Sequence, residues 1–127
     1  MNDTVELILP FKPEYVSTAR LVASSLSNRV GFDIEVIEDI KVSISEVCSK
    51  IVNIGSDVSD TYKIIFNISL KELNVIFCCE DTSLKCIFDK ERDRLAVDII
   101  NALMDDVELC TSNNYILSMS KVLEENI

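Results

Sequence analysis

The sequence contains no histidine, and it has only two glycines and two prolines. Without histidine the chain cannot form a Ser-His or Cys-His nucleophilic pair. A structural zinc site is not expected either, because the sequence also lacks a Cys-x-x-Cys pair. Two glycines are too few for a glycine-rich phosphate loop. Because these residues are scarce, the candidate sites to consider are those built from carboxylates, amines and backbone groups.

The charge balance is strongly acidic. Twelve basic residues against 22 acidic ones give a net charge of −10, which argues against direct nucleic-acid binding. No apolar run approaches the roughly 18 residues of a membrane span, and residues 1–6 do not resemble a signal peptide. With 127 residues, of which 48% are hydrophobic, we expect one domain over residues 1–127 with a packed core, located in the cytoplasm.

The cysteines are odd in number and lie within apolar patterns: Cys48, Cys78, Cys79, Cys86 and Cys110. In a cytosolic chain this placement is typical of reduced thiols in the core, which we therefore predict for all five.

The longest helical pattern runs from Asp33 to Gly55. Asp33 is a favourable N-cap, and Gly55 stands where helices often end on a left-handed glycine. An apolar face recurs at steps of three and four residues: Ile37, Ile40, Ile44, Val47, Cys48 and Ile51. A polar stripe with similar spacing lies opposite: Asp39, Ser43, Glu46, Lys50 and Asn53. The stripe is either a solvated outer face or the lining of a shallow pocket.

Alternation and helical spacing predict the remaining elements. We expect strands at residues 4–9, 61–70, 73–80, 107–111 and 115–122, and helices at 13–30 and 91–104. The apolar side of the first helix should include Val16, Ala19, Leu21, Val22, Ala23 and Leu26. The core-facing residues of the second strand should be Tyr62, Ile64, Phe66, Ile68 and Leu70. The third helix should pack through Leu95, Ile99, Ala102 and Leu103.

This β-α-α-β-β-α-β-β order indicates an α+β protein in which helices cover a mostly antiparallel sheet, as a two-layer sandwich. Three stretches carry a family resemblance: residues 9–20 (LPFKPEYVSTAR), 37–48 (IEDIKVSISEVC) and 102–107 (ALMDDV). They resemble the anti-sigma-factor serine kinases of bacteria, the RsbW-like group of the Bergerat or GHKL ATPase superfamily. The resemblance implies the histidine-kinase-like ATPase fold.

The family's ligand site has three parts, the first of which lies on the central helix. A glutamate acts there as the polarising base, and an asparagine four residues later binds magnesium. Glu46 matches the glutamate, and it would be the catalytic residue of an active enzyme, but Lys50 stands at the asparagine position. At an effective dielectric of about 20, an ammonium about 4 Å from a divalent cation is repelled by several kcal/mol.

We expect Lys50 to pair with Glu46 instead, because the two are four residues apart on a helix. Asn53 comes one turn too late to replace the missing asparagine.

The other two parts are also altered. The family holds the adenine amino group with an aspartate that precedes a glycine; Glu80 and Asp81 are the acidic residues near that position, and the glycine is missing. The glycine-rich turn before the third helix, which cradles phosphates, reads Arg92 to Ala96 here and has no glycine. Arg94 is a residue that would attract an anion there; the alternative is a solvated helix start.

The resemblance leaves several functions open. The first is a regulator that binds a sigma factor or an anti-sigma antagonist through Tyr15, Val16 and Arg20, with weak or no ATP binding and no metal. The alternative is an active serine-protein kinase that uses ATP and magnesium, with Glu46 as general base. A structural or dimerisation module is the third. Family members commonly pair up, so the resemblance also allows a homodimer.

Overall fold

The computed structural model of the chain describes residues 2–55, 60–79, 84, 86–110 and 115–124. Over these residues the strands are β1 (Asp3–Pro10), β2 (Thr61–Ile68), β3 (Glu72–Cys78), β4 (Asp106–Glu108) and β5 (Tyr115–Val122). The helices are α1 (Val16–Val30), α2 (Ile34–Gly55) and α3 (Arg94–Leu103), and a 3-10 turn, Pro13–Tyr15, leads into α1. The predicted element order is confirmed.

The strands form one antiparallel sheet in the order β1-β2-β3-β5-β4. The register brings one row of apolar residues across every strand: Val5, Phe66, Val75, Met119 and Val107. Phe66, Val75 and Met119, in the middle of this row, are at most 1% exposed. This row defines the face of the sheet that meets the helices.

The core lies between that face and the helices. Residues of β2 alternate between buried and half-buried positions, as a strand with one covered face requires. Ala19 and Ala23 of α1 and Ile40 and Ile44 of α2 are fully buried in the same apolar cluster as Phe66. The α+β two-layer architecture expected from the sequence is therefore confirmed.

The helix α2 is the central element, and its start is as predicted. The Asp33 side chain accepts a hydrogen bond from the Val36 backbone N–H at 2.9 Å, which caps the first turn. The predicted left-handed conformation at the other end is wrong: the one glycine with positive φ among the described residues is Gly31, at 104°, where α1 ends. Gly55 is instead the last residue of α2 and is buried against Phe11.

Four predicted core positions are wrong, because they are exposed. Leu21 of α1 is 70% exposed, and Leu70 is 69% exposed because β2 already ends at Ile68. Leu95 of α3 is 76% exposed and Ala102 is also exposed, because α3 packs on the core through a different face. The buried residues there are Val97, Ile100 and, after the last turn, Met104.

The cysteine prediction is correct for part of the set only. Cys48 is a free, buried thiol, and Cys78 and Cys79 are free and half-buried. Cys86 and Cys110 are exposed and joined by a disulfide, with their Cα atoms 4.7 Å apart. The prediction that all five are reduced core thiols is therefore wrong for this pair. Among the helices described, none is long and apolar enough to cross a membrane.

Candidate functional site

An ion pair joins the central helix to the turn that precedes α3. The Lys50 ammonium lies 3.0 Å from Asp93 Oδ1, and the two side chains are only 16% and 15% exposed. Lys50 comes from the polar stripe of α2, and Asp93 is the residue before the first turn of α3. The pair thus connects the two walls between which the family resemblance places the ligand.

The turn before α3, residues 89–93, is closed by its own carboxylates. Asp89 Oδ1 accepts hydrogen bonds from the backbone N–H groups of Glu91, at 2.8 Å, and Arg92, at 3.0 Å. Asp93 Oδ2 accepts one from the Asp89 N–H at 2.9 Å, while Asp93 Oδ1 holds Lys50. Three backbone donors of this turn are therefore satisfied within the chain.

These contacts lower the pKa of both carboxyl groups. For Asp89 the main cause is the pair of hydrogen bonds from the Arg92 and Glu91 backbone. For Asp93 it is the hydrogen bond from the Asp89 backbone, followed by the Lys50 ammonium. Hydrogen bonds donated to a carboxylate stabilise its charged form. Both groups are therefore anions at neutral pH. Asp93 lies within residues 92–96, where the resemblance puts a phosphate-binding turn, and Asp89 lies three residues before that stretch.

The sequence predicts an ion pair between Glu46 and Lys50, and this prediction is wrong. The Lys50 ammonium contacts Asp93, and no ion pair of Glu46 occurs in the part of the chain that the structure describes. Glu46 is half-buried on α2, one turn before Lys50. Its neighbour in the stripe, Ser43, is fully buried, so the stripe is not a uniformly solvated face.

Asn53 faces a different part of the molecule from Lys50. Around an ideal helix the two residues are about 60° apart, at about 100° per residue. Asn53 is exposed and lines a surface cavity of about 310 Å³ together with Pro13, Val16, Ser49 and Val52. The structure thus brings Asn53, predicted as a cleft residue, together with Val16, predicted as a partner-binding residue.

The other two predicted partner-binding residues are accessible. Tyr15 is 41% exposed at the end of the 3-10 turn, and Arg20 is exposed one turn into α1. Leu21, beside Arg20, is 70% exposed, which the sequence did not predict. These residues and the cavity at Val16 lie along the start of α1. Their role in binding stays a prediction.

Arg94 does not join the Lys50–Asp93 pair. It is exposed on the first turn of α3 and lies 3.9 Å from Asp98, its neighbour one turn later. It lines a second surface cavity of about 590 Å³, whose other charged residues are Lys90, Asp98 and Glu108. Two cations and two anions balance there, so an excess positive charge is not available to an anion. Glu80 and Asp81 lie outside the described residues.

Cys48, which follows Glu46 on α2, is not a nucleophile. Burial raises the pKa of this thiol to about 12, against a smaller opposing effect of the neighbouring Tyr62 hydroxyl. A thiol in that state is almost wholly protonated at neutral pH, and the thiolate is the reactive form. Within the described ranges, no group of three or more Cys, Asp and Glu residues is arranged to hold a metal ion.

Asp89 and Asp93 were not among the site residues predicted from the sequence, although their positions in the chain gave one local indication. Asp93 immediately precedes α3, and Asp89 immediately precedes the turn at residues 90–93; carboxylates commonly accept hydrogen bonds from backbone N–H groups at such positions. The partner of Lys50 had no such signal, because Asp93 lies 43 residues further along the chain.

The fold and the position of α2 in it identify a class of protein. Residues 9–121 match the family model described as the histidine kinase-like ATPase domain, and the chain belongs to this family.

Similar proteins within that class are serine-protein kinases. The chain is 29% identical to the serine-protein kinase RsbW of Halalkalibacterium halodurans, over 98% of this chain and 86% of that protein. It is 29% identical to RsbW of Oceanobacillus iheyensis (97% and 89%), and 28% identical to RsbW of Bacillus cereus strain AH820 (96% and 86%). The resemblance to the RsbW-like group is confirmed.

Proposed function

We propose that this chain is a regulatory protein that binds a sigma factor or an anti-sigma antagonist, and that it binds ATP weakly or not at all. The observation that carries the second part is the turn at residues 89–93. Three of its backbone N–H groups donate hydrogen bonds to the carboxylates of Asp89 and Asp93, and Asp93 also holds Lys50.

These groups do not fit a magnesium nucleotide. A phosphate at this turn would have to displace two carboxylates, which are themselves anions and would repel it. The Lys50 ammonium stands at the position where the family resemblance calls for a metal-binding amide. The two arrangements are mutually exclusive, since the same backbone donors cannot serve both a carboxylate and a phosphate.

Calorimetric titration with magnesium-ATP tests this part of the proposal. The RsbW protein of Halalkalibacterium halodurans serves as the comparison in the same buffer. We expect no saturable heat from this chain over the concentrations at which a nucleotide-binding comparison protein saturates. A tight, magnesium-dependent signal from this chain would refute the proposal.

The start of α1 is the surface proposed for the partner. It combines an accessible aromatic ring (Tyr15), an accessible guanidinium (Arg20), an exposed Leu21 and the cavity beside Val16. Aromatic and arginine side chains dominate binding energy at protein interfaces, and arginine recognises carboxylates in a bidentate manner.

The partner test compares two arginines of the same helix. Tagged wild type, Arg20→Ala and Arg29→Ala are used to recover proteins from the native cytosol, and the bound proteins are identified by mass spectrometry. Both arginines are exposed, but Arg29 lies at the far end of α1. We expect a sigma factor or antagonist with wild type and Arg29→Ala, and at least about tenfold less with Arg20→Ala. Absence of both partners, or equal recovery by all three proteins, would contradict the proposal.

An active serine-protein kinase is the second candidate, and one observation favours it. Because Lys50 is held by Asp93, Glu46 remains without an ion pair in the described part of the chain, as a general base would need to be. Transfer of labelled phosphate from ATP to a recovered partner, lost in Glu46→Gln, would support this candidate over the first.

A further inference from the structure

A second feature of the chain lies outside the Lys50–Asp93 site. Cys86 and Cys110 are both exposed, yet they are 24 residues apart in sequence and form a disulfide. Their Cα separation of 4.7 Å falls within the range of natural disulfides. Exposed sulfurs are accessible to thiols and disulfides in solution, unlike the buried Cys48.

The backbone at Cys86 gives an independent reason to single out this pair. Cys86 has φ 55°, the one non-glycine residue with positive φ among those described. Residues with a Cβ rarely adopt this left-handed conformation, so the surrounding structure must hold it. The link to Cys110 is one contact that does so.

The position of the pair gives it a mechanical consequence. Cys86 lies three residues before Asp89, and Cys110 lies two residues after the end of β4. Between Cys86 and Asp89, Ile87 and Phe88 are buried in the core. A bond between the cysteines therefore fastens the segment that leads into the 89–93 turn to the rim of the sheet.

We propose that Cys86 and Cys110 form a reversible thiol–disulfide site, which exchanges with low-molecular-weight disulfides and whose oxidation holds the segment before α3 against the end of β4. One protein thiolate attacks the small disulfide, forming a mixed disulfide and releasing one small thiolate. The second protein thiolate attacks the protein sulfur of that mixed disulfide and releases the other. Two protein thiols thus lose two electrons and two protons, and one small disulfide becomes two thiols.

Thiol counting tests the exchange. The full chain is equilibrated with mixtures of reduced and oxidised glutathione, quenched with acid, and alkylated after denaturation for mass spectrometry. Of the five cysteines, three should remain alkylatable in the oxidised form and all five in the reduced form. We expect a peptide linked through Cys86 and Cys110, which grows with the share of oxidised glutathione and disappears on reduction.

Two variants sharpen the result. Cys86→Ser should abolish the link and leave Cys110 as a mixed disulfide with glutathione. Cys78→Ser removes a thiol outside the pair and should leave the link intact. The proposal is overturned if the folded wild type never forms this link, or if Cys78 or Cys79 is oxidised at lower glutathione disulfide than the pair.

The mechanical part has its own readout. Oxidation of wild type should raise Tm by roughly 10 °C, the shift expected for a cross-link closing a loop of this length. It should also slow hydrogen exchange in residues 86–93, and neither change should occur in Cys86→Ser. A link that forms without either change would refute the fastening of this segment. Because these readouts involve neither nucleotide nor partner, they succeed or fail independently of the proposed function.

Discussion

The contact between Gly55 and Phe11 offers a quantitative test of how the start of α1 is held. Gly55 is the last residue of α2 and is buried, and Phe11 lies just before the turn that leads into α1. A Cβ added to Gly55 would overlap the Phe11 ring, lying 2.8 Å from Cδ1 and 3.2 Å from Cζ. Phe11 packs in turn on Tyr62, with the ring centroids 5.2 Å apart.

The expected cost of Gly55→Ala follows from these distances. Carbon atoms pack best at about 3.5–4.0 Å, and the nearest ring atom, Cε1, would lie closer to this Cβ than Cδ1 does, so the ring or the helix end must move by roughly 1 Å or more. Such overpacking typically costs about 1–3 kcal/mol. Replacing glycine by alanine in a helix returns about 0.5–1 kcal/mol, and less at the last turn. We therefore expect a net loss of roughly 1–2 kcal/mol in the free energy of unfolding.

Urea unfolding followed by circular dichroism measures this loss, and a double-mutant cycle assigns it. In a Phe11→Leu background the smaller side chain leaves room, so Gly55→Ala should cost at least about 1 kcal/mol less than in wild type. The matched control is Gly31→Ala, the chain's other glycine. Its cost arises from φ 104° and not from a ring, so Phe11→Leu should not relieve it. Equal costs of Gly55→Ala in the two backgrounds would refute the steric explanation.

Three further outcomes are expected. Lys50→Asn alone should not create ATP affinity, since Asp89 and Asp93 still occupy the turn; calorimetry with magnesium-ATP would show otherwise. The pKa values of Asp89 and Asp93 are lowered from 3.8, so the stability that these carboxylates contribute is present above about pH 4 and lost as the pH falls further. Asp93→Asn should reduce this pH dependence of the unfolding free energy, measured by urea titration. An unchanged pH dependence would contradict the contribution of Asp93. Cys48, with a pKa of about 12, should resist iodoacetamide in the native reduced protein and react after unfolding; native labelling would contradict its burial.

The elements with one strongly preferred face were predictable from the sequence. The alternation in β2 correctly predicted that Tyr62 and Phe66 lie in the core. A shift of the strand by one residue would move its whole apolar row to the exposed face, so the pattern allows only one orientation. In α2 the residues from Ile40 to Ile51 on the apolar face are all buried, since their spacing leaves one continuous stripe.

The third helix shows why the rest was harder. Its apolar residues form two interleaved sets at helical spacing, and the sequence alone does not choose between Leu95 with Ile99 and Val97 with Ile100. Tertiary packing decides, and it buries the second set. The candidate site depended on the same kind of long-range information. Lys50 had a local partner available in Glu46, but it pairs with Asp93, 43 residues away.

The 89–93 turn also bears on how stability responds to conditions inside a cell. A binding site that is empty in the folded state gains stability from its ligand, so that stability follows the ligand's concentration. Here the carboxylates that complete the turn are covalently part of the chain, and their effective concentration is constant. We therefore expect no thermodynamic linkage between folding and anion concentration at this turn. The melting temperature should be the same with phosphate or nucleotide as with a chloride salt at the same ionic strength.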